Sequence, residues 1–295
     1  MGVVGDFIDM ASPRILLNAH DIRADKQSGQ YFLSDRSVAK TIVVCSQASA
    51  KDVVLEIGAG LGALTIPAGR IVKKLYAVEK DSRIMAVLEK EVFSNRLSNI
   101  ILIRENILQL DIKALGKGGN HGLVVLGNLP YNISSQILVK LINSRQVISR
   151  AILMFQKEVA DRITAPPGGR EYGRLSVMLQ YCANIKTILA VRPACFFPKP
   201  GVESLVLGID FETPMKNAGA DDAFLFRVIK VAFGKRRKTL KNALAGSEFH
   251  LDGSTAFQAL DRAGIDPARR AETLAVSDFV RLSDCLKDIV GQMGA

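Results

Sequence analysis

Val53-Val54-Leu55-Glu56-Ile57-Gly58-Ala59-Gly60-Leu61-Gly62 decides the fold of this chain. An apolar, β-branched run stops at three glycines spaced two apart, and a helical stretch follows from Ala63. Glycines at a strand-to-helix turn let the backbone approach a ligand and present amides at a helix N-terminus. Glu79 closes the next apolar run about twenty residues on, where a carboxylate can accept both hydroxyls of a ribose. A dinucleotide fingerprint would place its third glycine three positions after the second, leaving room for a pyrophosphate. Gly60 and Gly62 are only two apart, so the loop suits a nucleoside ligand without phosphates, such as S-adenosylmethionine. No G-x-x-x-x-G-K-[ST] signature of an NTPase is present.

Working outward, further apolar runs at 74–78, 100–103, 123–126 and 151–155 alternate with stretches of helical spacing at 82–93 and 134–142. Ser82 and Ser134 stand as caps for these helices. The alternation predicts an α/β fold, a parallel sheet with crossover helices. Runs at 185–191 and 202–211 flank Phe197-Pro198-Lys199-Pro200-Gly201 and read as a hairpin-like pair. The first domain is therefore expected over 1–211, with a Pro- and Gly-containing linker at 212–220. Residues 221–295 carry no strand pattern, and their helical segments, broken at Gly246, Gly253, Gly264 and Pro267, predict a small all-helical domain.

With 295 residues, 48% hydrophobic and 23% charged, the chain is neither disordered nor collagen-like. Thirty-nine Lys and Arg against twenty-nine Asp and Glu give a net charge of +10, which favours an anionic partner. Arg227, Lys230, Lys235, Arg236, Arg237, Lys238 and Lys241 fall within fifteen residues that contain no acid. Residues 242–295 reverse the balance, with five basic and eight acidic side chains. A basic stripe opening a helical domain suits a phosphate backbone, although a solvated basic face has the same composition. Cys45, Cys182, Cys195 and Cys285 lack C-x-x-C spacing, and His20, His121 and His250 lack metal-ligand spacing, so no metal site is expected. No apolar run is long enough for a membrane span, and the N-terminus lacks a secretory leader, so a cytoplasmic protein is expected.

The richest stretch is Gly127-Asn128-Leu129-Pro130-Tyr131-Asn132-Ile133-Ser134, at the carboxyl end of the fourth run. Open α/β sheets bind ligands at this end. An adenine N6 amine is a poor nucleophile because its lone pair is delocalised into the ring. The oxygen of Asn128 and the carbonyl of Leu129 or Pro130 can draw its two hydrogens, favouring a tetrahedral nitrogen with its lone pair free for a methyl group. Pro130 stiffens the turn, and Tyr131 offers a face for an unstacked base. Asn106, after the third run, can read the edge of a cofactor adenine.

These motifs resemble those of the KsgA-type small-subunit rRNA adenine N6,N6-dimethyltransferases. The likeness extends through Gly29 to Leu33, Phe155 to Val159, Tyr172 to Val177, Phe196 to Ser204 and Ala232 to Leu240. It implies a Rossmann-like class I S-adenosylmethionine-dependent methyltransferase domain with a C-terminal helical rRNA-binding domain. Tyr31, Leu33, Gly58, Gly60, Glu79, Asn106 and Asn128 would line the cofactor site. Asn128, Leu129 and Pro130 would grip the target amine, and Tyr131 and Phe196 would sandwich the flipped base. The implied activity is dimethylation of two adjacent adenines near the 3′ end of 16S rRNA, in the small subunit or its precursor, by a monomer that also serves subunit assembly. Three positions depart from the family pattern. Tyr31 stands where Asn or His is usual, Asn106 where Asp is usual, and Gly201 where Lys is usual. A large-subunit rRNA adenine methyltransferase shares the loop and acceptor motif; a DNA adenine methyltransferase and a non-catalytic assembly or transcription factor on the same fold remain further readings.

Overall fold

The computed structural model describes residues 11–25, 29–116, 122–213, 221–235 and 237–293. It divides into two compact units, residues 1–160 with 185–212, and residues 161–184 with 213–295. Sequence spacing puts 161–184 in the first domain, but the segment packs with the C-terminal helices. The reason is aromatic: Tyr172 and Tyr181 are each 1% exposed. The Tyr181 hydroxyl donates to Asp222 Oδ1 at 2.9 Å, and the Tyr172 ring meets Phe233 edge-on at 6.3 Å. Of the expected linker, only Glu212 and Thr213 lie among the described residues, and Arg236 and His121 lie outside them.

In chain order the elements begin with α1 (Pro13–Ala19), β1 (Phe32–Leu33) and α2 (Arg36–Cys45). The alternation follows as β2 (Val53–Ile57), α3 (Thr65–Gly69), β3 (Lys74–Glu79), α4 (Ser82–Ser94), β4 (Ile100–Arg104), α5 (Ile112–Gly116), β5 (Leu123–Asn128), α6 (Ser134–Asn143) and β6 (Ile148–Gln156). Next come α7 (Lys157–Thr164), α8 (Arg174–Cys182), β7 (Asn184–Val191), β8 (Phe196–Phe197) and β9 (Ser204–Asp210). The chain closes with α9 (Asp222–Gly234), α10 (Leu240–Leu244), α11 (Gly253–Arg262) and α12 (Val276–Met293).

Seven strands form one sheet in the order β4-β3-β2-β5-β6-β9-β7. Strands β2 to β6 are parallel, and β9 runs antiparallel to β6. The two expected late strands are neighbours in this sheet, and β8, between them in sequence, pairs instead with β1. Val54, Leu75, Ala77, Val124 and Leu126 are fully buried, which explains why these strands read as near-continuous apolar runs. Ile57 is level with Val78 on one side of β2 and with Gly127 on the other. The strand order reverses between β2 and β5, so the loops after them border the crevice where such sheets bind ligands. A Cβ at Gly127 would lie 2.8 Å from the Ile57 carbonyl, so only glycine permits this close pairing.

The helix starts differ from expectation. Asp81, one residue before Ser82, caps α4 by accepting from Arg83 N at 2.9 Å. Its carboxylate is the stronger acceptor for a helix N-terminus. At α6 the cap position is Ile133, and Ser134 Oγ donates to the Tyr131 carbonyl at 3.2 Å, tying the helix start to the acceptor turn. In the second unit Phe233 lies between Tyr172 and Phe279, stacked on the latter at 5.7 Å. Among the described residues no helix is long and apolar enough to cross a membrane, and no cluster of His, Cys, Asp and Glu could hold a metal ion.

Candidate active site

A cavity of about 330 Å³ opens at the carboxyl ends of β2, β3 and β5. Tyr31, Leu33, Gly58, Gly60, Glu79, Asn106, Asn128 and Pro130 all line it. The glycine loop has φ of 71°, 55° and 92° at Gly58, Gly60 and Gly62, a conformation costly for other residues. Gly58 N and Ala59 N both donate to the Val78 carbonyl at 3.0 Å, folding the loop over the end of β3.

Glu79 is held by three amides. Its Oε2 accepts from Gly60 N at 3.1 Å, and its Oε1 from Lys80 N at 2.9 Å and Asp81 N at 3.0 Å. Burial raises its pKa, and these bonds act against the rise. Glu56, to which the sequence alone assigns no role, also lines the cavity and is 1% exposed. Burial, opposed by nearby Thr65 and reinforced by the Glu79 charge, pushes its pKa up to about 8. Its Oε2 has no hydrogen-bond partner among the described residues. An orphaned carboxyl at a cavity wall suits a cationic ligand group. The signal that could have found it is a lone acid inside the apolar 53–57 run. Asn106 also differs from expectation. Its Oδ1 accepts from Leu108 N at 3.0 Å, so the oxygen expected to meet a purine amine is already shared with the following turn.

The acceptor turn leaves β5 beside this cavity. Asn128 Nδ2 donates to the Tyr31 carbonyl at 2.8 Å, which fixes the amide and leaves Oδ1 as the acceptor. The Pro130 carbonyl accepts from Ile133 N at 3.2 Å, whereas no hydrogen bond reaches the Leu129 carbonyl among the described residues. Tyr131 shares a hydrogen bond of 2.7 Å with Ser204 Oγ, and burial raises its pKa. Its ring stacks on Tyr31, with centroids 5.3 Å apart and planes 26° apart. Phe196, expected on the other side of a base, is 4% exposed in the core and paired with Leu33 across β1 and β8. Leu129, Tyr131 and Phe196 do not line the cavity.

In the second unit Arg227 and Lys230 lie exposed on α9, each 3.7 Å from Glu248. The Arg227 guanidinium also lies over the Phe224 and Phe249 rings, at 5.7 and 5.1 Å. Lys235, Arg237 and Lys238 are exposed in the turn after α9, and Lys241, half-buried on α10, reaches over Phe257. Part of the stripe is thus internally compensated, and its turn is the more available part.

The profile of the family described as ribosomal RNA adenine dimethylase matches residues 22–288. The chain is 49% identical over 282 residues to the ribosomal RNA small subunit methyltransferase A of Desulforapulum autotrophicum, covering 96% of this chain and 99% of that protein. Its fold is similar to a dimethyladenosine transferase from Plasmodium falciparum, with a TM-score of 0.73 at 23% identity over 85% of this chain and 95% of that one. It is also similar to the 23S rRNA methyltransferase ErmE, with a TM-score of 0.65 at 21% identity over 87% of this chain and 99% of that one. At such identities the structural likeness speaks for the Rossmann-like methyltransferase fold alone. The family profile and the 49% identity reach further: the chain belongs to the ribosomal RNA adenine dimethylase family.

Proposed function

We propose that this protein is an S-adenosylmethionine-dependent rRNA adenine N6,N6-dimethyltransferase that acts, as a monomer, on two adjacent adenines near the 3′ end of 16S rRNA in the small subunit or its precursor. The observation that carries the reading is the Asn128 amide, locked by the Tyr31 carbonyl with its oxygen left to accept, at the mouth of a nucleoside-sized cavity. The relative named for the small subunit supports this subunit over the large one.

The cavity residues fit the cofactor. Glu56, with its orphaned oxygen, would face the cationic methionine end, and Glu79 would hold the ribose. Three of a carboxylate's roughly four acceptor sites on Glu79 are taken by amides. Receiving both ribose hydroxyls therefore requires the Gly60 bond, the longest of the three, to open. When bound, S-adenosylmethionine supplies an electrophilic methyl group.

Asn128 Oδ1 accepts one hydrogen of the target amine, and the free Leu129 carbonyl accepts the other. Together they orient the nitrogen lone pair away from the ring plane, a positioning effect that needs no strong base. Pro130 holds the two acceptors in fixed relation. The turn after α9 would hold the rRNA backbone through Lys235, Arg237 and Lys238, with Arg227, Lys230 and Lys241 beside it, and the sequence adds Arg236 to this basic group.

The test is to incubate the protein with S-adenosylmethionine and unmethylated small and large subunits and to map modified bases by mass spectrometry. Paired dimethyladenosines in the small subunit are expected. Modification confined to the large subunit, or none in either, would overturn the reading.

A further inference from the structure

We propose that the Tyr31 side chain is a displaceable cap on the stacking face of Tyr131, and that the target adenine enters by displacing it. The proposal rests on the reading of the chain as an adenine methyltransferase. With ring centroids 5.3 Å apart, Tyr31 and Tyr131 leave no space for a base between them. Each stacked layer takes about 3.5 Å, so an intercalated base would need roughly 7 Å.

The two rings are held differently. Tyr131 is anchored through its hydroxyl to Ser204, which is fully buried. The Tyr31 hydroxyl makes no hydrogen bond among the described residues, and its ring is held on this side by the stack. The Tyr31 backbone is fixed, because its carbonyl holds Asn128 Nδ2. Gly29, two residues earlier, presses the same segment against the acceptor turn, with its Cβ position 3.2 Å from Tyr131 N. The moving part is therefore the Tyr31 side chain, which turns about χ1 while the carbonyl that orients Asn128 stays in place.

Stacking strengths decide which ring wins. An aromatic side-chain pair contributes a factor of roughly 2 to 10 in an equilibrium. A nucleobase on an aromatic side chain contributes roughly 5 to 100. A base therefore displaces Tyr31 and loses only part of its own stacking, and because that cost is the same for every base the cap lowers affinity without changing the preference among bases.

The experiment compares Tyr31→Asn and Tyr31→Ala with Tyr31→Phe, titrating adenosine and cytidine by calorimetry into each protein with the cofactor cavity kept full by saturating S-adenosylhomocysteine, since Tyr31 lines that cavity too. Without the ring, adenosine and cytidine should each bind roughly 2- to 10-fold tighter with their ratio unchanged, and Tyr31→Phe should restore wild-type values. The KM for unmethylated small subunits should fall in parallel. The Asn variant keeps the proposal testable if the Ala variant does not fold. Weaker adenosine binding in the ringless variants would make Tyr31 part of the base sandwich and overturn the cap, as would unchanged binding. Absence of methyl transfer by the wild type would overturn the functional reading instead, while the nucleoside titration would still decide the cap.

Discussion

Replacing Glu56 with Gln should change how the stability of the protein depends on pH. In the folded state burial pushes the Glu56 pKa from its ordinary 4.5 to about 8, so between these values the unfolded chain releases a proton that the folded one keeps. Stability from this group is fully present below pH 4.5 and is lost as pH rises to about 8, at about 1.4 kcal/mol per pH unit. From about pH 5 to pH 8 the loss reaches about 4 kcal/mol. Glu56→Gln keeps the shape of the side chain and has no proton to lose. The stability difference, variant minus wild type, should therefore widen by about 4 kcal/mol across that window and stay flat above it. Effects of exchanging carboxyl for amide that do not depend on pH cancel in this difference. Urea unfolding of both proteins at about pH 5, 6, 7 and 8, without S-adenosylmethionine, measures it. A constant difference across the window would mean that Glu56 is already ionised in the folded protein, and would refute the burial argument.

Asn128→Ala should abolish methyl transfer in a single-turnover assay while rRNA affinity by filter binding stays near wild type, because the residue acts on the amine and not on the backbone. Near-normal turnover would sink the acceptor mechanism. Asn106→Asp should tighten S-adenosylmethionine binding roughly 2- to 10-fold by calorimetry, since a second oxygen becomes available while the first still accepts from Leu108 N. Unchanged or weaker binding would place Asn106 off the adenine edge. Replacing Lys235, Arg237 and Lys238 together with Gln should lower the slope of log affinity against log salt for rRNA by roughly 0.7 to 0.9 for each phosphate that is no longer neutralised. An unchanged slope would move the RNA interface away from this turn.

Most of the first unit is legible in the sequence because one physical fact dominates it. A parallel strand buried on both faces must be largely apolar, so 53–57, 74–78 and 123–126 stand out from residue types alone, and the strands extend only to Glu79 and Asn128 beyond them. The glycine loop is legible for a similar reason, since positive φ at Gly58, Gly60 and Gly62 excludes most other residues. The unit boundary is harder. Residues 161–184 carry helical spacing that does not say which core they join, and their partners Asp222 and Phe233 lie 41 and 61 positions away from Tyr181 and Tyr172. The start of α4 differs by one residue from the expected cap, because Asp81 and Ser82 are both good caps and only the backbone geometry chooses between them.

The candidate site is legible in its residue types and not in its pairings. Asn128 can be singled out, yet its orientation comes from the Tyr31 carbonyl 97 residues away, and no local pattern encodes that bond. Resemblance assigns Phe196 to the base sandwich, yet the ring of Tyr31 covers the face of Tyr131 while Phe196 lies in the core beside Leu33. Glu56 is the converse case. Its type and place, an acid within a fully apolar strand, already imply a desolvation cost that a structural residue would not carry without compensation. In the ligand-free protein the raised pKa supplies the compensation by keeping the carboxyl protonated, and under the proposed function the orphaned Oε2 at the cavity wall would ionise against the cationic end of the cofactor.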